Sequence, residues 1–285
     1  MKNFSRYRNS ICITLLVGIV ISCSTLPEMI PSSDEDLSFV VVGDMQQGLG
    51  IFSQLAIHIS NLEPAPSATF FLGDYMAESG LEIEWLNFWN YAEPITAKMP
   101  VFLARGNHEG NTQEDNYALR QYGKFPDGPF YRSIRIQEIV FLILDTHEEG
   151  EGNIILDDQK SWLHEQLTRV ERDTTVRHLF ICMHHPLFPK GFHQRGGLWN
   201  ATEIDSLFQA NRKVKVVFSG HDHLYNRFIK DNINYIITGG GGAYLHHGYG
   251  GDYHHFVKVS IYRQENRINI KTIDIFNEIV EDFDI

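Results

Sequence analysis

The sequence predicts an α/β protein, with a mixed β-sheet core and helices outside it. Three observations carry this. Strand-length apolar runs alternate with segments of helical period from residue 37 onward. Five of those runs end in polar residues suited to metals. After residue 224 the pattern changes to antiparallel hairpins.

The elements follow in order. "LSFVVVGD" precedes a helical stretch over Leu49–Leu62. "ATFFLGD" precedes "EIEWLNFWNYAE", where Trp85 and Trp89, four apart, share one helix face. "VFLARGNH" is followed by a short helix near Asp115–Tyr122. "YRSIRI" and "IVFLILDT" read as paired strands around Gln137-Glu138. "DDQKSWLHEQLTRV" opens on acids that favour a helix start. "RHLFICMHHP" and "KVKVVFSGHDH" are further strands, with a helix near Thr202–Ala210 between them. The last hairpins turn at Asp231-Asn232 and at Gln264–Asn266.

The N-terminus reads as a targeting segment. Lys2, Arg6 and Arg8 precede the apolar run Ile11–Ile21, which is short of the ~20 residues of a membrane span but suits a signal h-region. It ends in Val20-Ile21-Ser22-Cys23, which resembles a bacterial lipobox. Residues 1–22 are therefore expected to be a signal peptide and Cys23 a lipid anchor. Residues 23–36, rich in Pro, Ser and acid, are expected to be a tether, and 37–285 the folded domain. The expected location is a bacterial cell envelope. Loss of the signal, with three positive and no acidic residues, takes the net charge from −12 to −15. So acidic a chain is a poor partner for nucleic acid. Cys182 alone would remain as a free thiol, within an apolar run, so no intramolecular disulfide framework is possible.

The polar residues at the strand ends are spread from residue 44 to residue 223. They are Asp44 with Gln46; Asp74; Asn107, His108 and Glu109; His184 and His185; and His221, Asp222 and His223. Residues just past the carboxyl ends of strands in an open α/β sheet line one crevice, so these groups can converge. Asp oxygen with His nitrogen suits Zn, Mn or Fe. Six or seven such donors exceed the needs of one ion, and two ions suit phosphoryl chemistry. Taken singly, Asp44 and Asp74 also fit helix N-caps.

Taken together, Asp44, "GD" at 73–74, "GNHE" at 106–109, "MHHP" at 183–186 and "GHDH" at 220–223 resemble the calcineurin-like metallophosphoesterase family. The resemblance implies a four-layer sandwich of two mixed sheets between helices. It implies that Asp74 bridges two ions through its two carboxylate oxygens, that Asp44 and His223 hold the first, and that Asn107, His184 and His221 hold the second. Metal-activated hydroxide would attack phosphorus, and His108 would protonate the leaving oxygen. Two positions depart from the pattern. Gln46 stands where many members have histidine, as a weaker amide ligand. Ala77 stands where the purple acid phosphatase branch has its tyrosine, so no iron–tyrosinate colour is expected. His193, nine residues after His184, matches a phosphate-contacting histidine of some acid phosphatases.

Glu109 and Asp222 read as orienting partners, and His185 as a supporting residue. His246, His247, His254 and His255, with Asp252, lie in a loop without ligand spacing and are not expected to hold a third metal. Gly239–Gly242 fits either a phosphate cradle or a close backbone approach. The expected substrate is a small-molecule phosphomonoester. The alternatives are a phosphodiester, a nuclease substrate disfavoured by the acidic charge, and a non-catalytic metal-binding surface lipoprotein.

Overall fold

Two six-stranded mixed sheets form the core of the computed structural model, which describes residues 37–77, 81–148, 150, 152–193 and 196–285. The expected signal, tether and Cys23 lie outside the described residues. In chain order the elements are β1 (Leu37–Val42), α1 (Leu49–Ser60), β2 (Thr69–Phe71), α2 (Glu82–Thr96), β3 (Val101–Leu103), α3 (Gln113–Gln121), β4 (Arg132–Ile136), β5 (Ile139–Ile143) and α4 (Asp157–Arg172). There follow β6 (His178–Cys182), α5 (Ala201–Gln209), β7 (Val214–Ser219), β8 (Tyr225–Lys230), β9 (Ile233–Thr238), β10 (His255–Tyr262), β11 (Arg267–Asp274) and β12 (Ile279–Asp284). The strand orders are β12-β11-β10-β1-β2-β3 and β4-β5-β6-β7-β9-β8.

Strand periodicity explains the layers. Along β1, Leu37, Phe39 and Val41 point between the sheets, while Val40 and Val42 point outward onto α1 and α2. Both faces are covered, so apart from Ser38 the strand reads as an apolar run rather than an alternating one. Between the sheets the Phe39 ring packs edge-on against Phe70, Phe141 and Phe180, with centroids 5.8, 4.8 and 4.9 Å away. Outside the first sheet lie Phe52, Leu55, Trp85 and Phe88. Outside the second lie Leu163 and Leu167 of α4, with Ile204 and Phe208 of α5. The result is the four-layer α/β sandwich.

The hairpin expected at Asp231-Asn232 forms there, with both residues at positive φ (49° and 63°), as a tight turn between antiparallel strands requires. The sequence reading missed β12. Ile279, Val280, Glu281 and Asp282 are all partly or largely exposed, so little apolar pattern marks the strand. Its backbone pairs with β11, and that edge of the sheet decides its conformation. Among the described residues no helix is long and apolar enough to cross a membrane.

What matters for the site is direction. β1, β2 and β3 run parallel in one sheet, and β5, β6, β7 and β9 in the other. The carboxyl ends of β1, β2, β3, β6 and β7 carry the candidate ligands.

Candidate metal centre

Three of the residues that turn the chain toward the site sit at positive φ without being glycine: Asp44 (63°), Asp74 (56°) and His221 (67°). Such backbone costs on the order of 1–3 kcal/mol per residue and persists only where the surroundings impose it. Here each turn is held by hydrogen bonds. The N–H groups of Met45 and Gln46 donate to the Asp74 carbonyl (2.8 and 3.0 Å), and Asp44 N–H donates to the Gly73 carbonyl (3.1 Å). His221 N–H donates to both Asp44 carboxylate oxygens, at 2.9 and 3.0 Å. The N-cap reading of Asp44 and Asp74 is corrected. Gly48 and Leu81 occupy the N-cap positions of α1 and α2, and neither helix has a side-chain cap.

The donors fall into two sets. In one, Asn107 Oδ1 lies 2.9 Å from both His184 Nε2 and His221 Nδ1, and the two nitrogens are 3.3 Å apart. In the other, His223 Nε2 is 3.7 Å from Asp44 Oδ1 and 3.2 Å from the Gln46 amide nitrogen. Asp74 stands between them. Its Oδ2 is 3.4 Å from His184 Nε2 and accepts the Gln46 amide at 3.2 Å. Its Oδ1 accepts His108 N–H at 3.0 Å. The two sets therefore meet at one oxygen of Asp74, not at two.

Hydrogen bonds outside the centre aim the imidazoles. His184 Nδ1 lies 2.9 Å from the Leu72 carbonyl and His223 Nδ1 2.8 Å from that of Tyr244. A carbonyl accepts only, so each Nδ1 carries the proton and each Nε2 presents its lone pair inward. Burial, the largest cause in each, pushes His184 down to about 3, His221 to about 2 and His223 to about 4. These rings are neutral at neutral pH, the state a metal requires. Burial and the neighbouring Asp74 hold Asp44 well above the usual carboxylate range. Two buried carboxylates, neutral imidazoles, the Asn107 amide oxygen and Gln46 Oε1, a buried atom without a partner among the described residues, form a donor set that fits a pair of cations.

Glu109 works through the backbone. Its carboxylate accepts N–H groups of Asp74, Tyr75 and Gly106, each at 2.8 Å, and so locks the β2 loop to the β3 loop. Burial and Asp74 raise its carboxyl to about 8, against those three donors. His108 is carried on the same loop, and its Nδ1 lies 2.9 Å from the Ala77 carbonyl. The His193 ring stacks near His221, centroids 4.6 Å apart, beside Asp222. At Gly239 and Gly241 the close backbone approach is seen. Gly239, Gly241 and Ala243 N–H groups donate to Leu224, Gly43 and Asp44 carbonyls and are not free for a phosphate. A Cβ at Gly239 would lie 2.2 Å from the Asp222 carbonyl oxygen.

Some supports were not read from the sequence. Arg105, just ahead of "GNHE", forms a buried two-pronged ion pair with Asp145, at 3.1 and 2.5 Å, and so ties the ends of β3 and β5. Thr146 Oγ1 accepts His185 N–H at 3.1 Å and lies 2.9 Å from its Nδ1. The available signal was position: Asp145 and Thr146 end an apolar run just as the ligands do. Tyr75 points away from the centre, its hydroxyl donating to the Ala104 carbonyl at 2.6 Å.

A family model described as calcineurin-like phosphoesterase matches residues 37–225. Among curated proteins, the chain is similar to a phosphoenolpyruvate phosphatase of Allium cepa, 28% identical over 76% of this chain and 47% of that protein. It is also similar to purple acid phosphatase 22 of Arabidopsis thaliana, 27% identical over 70% and 46%. The chain thus spans about half the length of these relatives. Among solved structures, the purple acid phosphatase PPD1 of yellow lupin superposes with a TM-score of 0.73 at 19% identity, over 87% of this chain and 53% of that one.

Proposed function

Because the chain belongs to the calcineurin-like phosphoesterase family, we propose that it hydrolyses phosphoester bonds at a dinuclear metal centre. The observation that carries this is the meeting of two donor sets at Asp74 Oδ2. Asp44, Gln46 and His223 would hold one ion, and Asn107, His184 and His221 the other, with Fe, Mn or Zn suited to the donors. Bound there, the pair supplies Lewis-acid activation of water and neutralises charge on the phosphate. The protein's own part is to fix those ligands, to orient the phosphate and to protonate the leaving group. His108, whose Nδ1 donates to the Ala77 carbonyl, would give a proton from Nε2 to the leaving oxygen as the imidazolium and end as the neutral Nδ1–H ring. His193 would contact the phosphate.

A small-molecule phosphomonoester is the preferred substrate class. A relative named for phosphoenolpyruvate, itself a monoester, supports it. So does a cavity of about 420 Å³ lined by Gln47, Leu49, Met76, Ala77, Glu84 and Tyr91, which opens beside the carbonyl that holds His108 and has room for a small leaving group. With Ala77 at the tyrosine position and Tyr75 buried, the centre would lack the charge-transfer colour of purple enzymes. The order of basic leader, h-region and Cys23 supports an exported lipoprotein with a tether over residues 23–36.

Rates on p-nitrophenyl phosphate and bis-p-nitrophenyl phosphate, with metal analysis, test the reading. Monoester turnover dependent on two ions is expected. Preference for the diester would replace the substrate class. Bound metal with no turnover of either would favour a binding protein. Palmitate labelling that persists in Cys23→Ser would overturn the anchor.

A further inference from the structure

A third group of donors stands just outside the two sets. Asp222, between His221 and His223, is fully buried. Its Oδ2 accepts the backbone N–H groups of Lys190 and Gly191, at 2.6 and 2.8 Å. Among the described residues its Oδ1 has no hydrogen-bond partner. Leaving a buried charged oxygen unpaired costs more than the ~1–3 kcal/mol of a neutral group. Two imidazoles face that oxygen, His246 Nδ1 at 3.8 Å and His193 Nδ1 at 4.0 Å. The donor atoms of the three residues all lie within 4.8 Å of one another.

These separations are too long for hydrogen bonds. They approach those of ligands sharing one ion, since donors each ~2.1 Å from a zinc stand roughly 3–4 Å apart. There is also room. A Cβ at residue 191 would lie 2.7 Å from His246 Nδ1 and 2.8 Å from Asp222 Oδ1, and glycine leaves that point open. His246 is thereby set apart from the rest of its loop. The 246–255 loop folds back so that its first histidine stacks on His223, centroids 4.6 Å apart, while its other histidines do not join it.

We propose that Asp222, His193 and His246 form a third cation site, for an ion of the Zn²⁺ class, adjoining the dinuclear centre. Two imidazoles and a carboxylate suit zinc and leave a position open for water or a phosphate oxygen. Asp222 and His246 are its fixed members. To bind, His246 Nδ1 must give up the long contacts it accepts from the His223 and Phe192 N–H groups, at 3.3 and 3.4 Å. His193 is the exchangeable ligand, because its Nδ1 must leave the His221 carbonyl, 3.2 Å away, to bind. An ion there would add positive charge on the side of the centre where His193 stands. The observation is separate from the one behind the dinuclear reading.

The test counts ions. The full chain is stripped with chelator, reloaded with Zn²⁺, passed through gel filtration and assayed for zinc per chain. Three ions are expected for the native chain, the third the weakest. His246→Gln and Asp222→Asn should each hold two. His247→Gln, which removes the partner of Asp252 elsewhere in the loop, should still hold three. Saturation of the native chain at two ions overturns the third site and leaves the dinuclear centre standing, whereas fewer than two overturns both. Three ions in both His246→Gln and Asp222→Asn would overturn the assignment to these residues.

Discussion

Two regions of this chain are rich in histidine, and they are built differently. At the ends of β6 and β7, the nitrogens of His184 and His221 converge on Asn107 Oδ1, and His223 faces Asp44 and Gln46. Across residues 246–255, a loop that ends on the first residue of β10, each of the last three histidines has a partner of its own. His247 pairs with Asp252 at 2.9 Å, and His254 lies 3.2 Å from the Gly240 carbonyl. His255 lies between Thr238 and the Tyr253 carbonyl, at 3.1 and 2.8 Å. Histidine count alone does not make a metal site. Donor atoms that face one another mark a candidate, and of the loop's histidines only His246 has them, beside Asp222 and His193.

The comparison can be broken most severely at Asp74. Asp74→Asn removes the carboxylate charge at which the two sets meet and should remove the ions of both, with activity. Retention of both by elemental analysis would show that the sets do not meet there. Single-site losses come next. His184→Ala should empty the Asn107 side, and His223→Ala the Asp44 side, each leaving the other ion bound. Loss of both ions from either variant would mean that the two positions are not separable. Gln46→His, restoring an imidazole, should slow metal loss from the Asp44 side to a chelator.

His108→Ala probes chemistry without touching a ligand. Both ions should stay. The rate on an alkyl phosphate should fall ~10²–10⁴-fold, the usual range for general acid catalysis, and far less on p-nitrophenyl phosphate, whose phenolate leaves unaided. Equal losses on both would give His108 an electrostatic or positioning role instead.

The privately partnered histidines should show themselves in stability alone. Burial holds His255 down to about 4, below its ordinary value of about 6.5. The folded chain then binds fewer protons there than the unfolded chain between these values. Stability from this group is full above pH ~6.5 and is lost as pH falls toward 4, by up to on the order of 3 kcal/mol. Urea unfolding from pH 7 to 4.5 should be steeper in the native chain than in His255→Gln, and identical slopes would remove the effect. Smallest of all, His247→Ala and His254→Ala should leave the Asp74-centred ions and the activity unchanged, with stability within about 0.5 kcal/mol for the more exposed His247.

The candidate ligands were legible in the sequence because chemistry and position coincide in them. Asp44, Asp74, Asn107, His184, His221 and His223 all follow apolar runs, and parallel strands bring their carboxyl ends to one edge whatever loops intervene. The strands themselves were legible because those covered on both faces are mostly apolar, as β5 is throughout and as β1 and β6 are apart from Ser38 and His178. β12 was not, since half-exposed edge residues carry no such constraint.

What only the tertiary structure decided is which atoms face which. Sequence order places Asp222 among ligands and His246 among loop residues, but the fold sets both beside His193. It turns Asp74 so that one oxygen serves two donor sets while the other receives a backbone N–H. It spends the amides of Gly239, Gly241 and Ala243 on neighbouring carbonyls. Residue type and spacing fix what a side chain can do. Its partner is set by the approach of segments far apart in the chain, to within a few tenths of an ångström, and no local pattern encodes that distance.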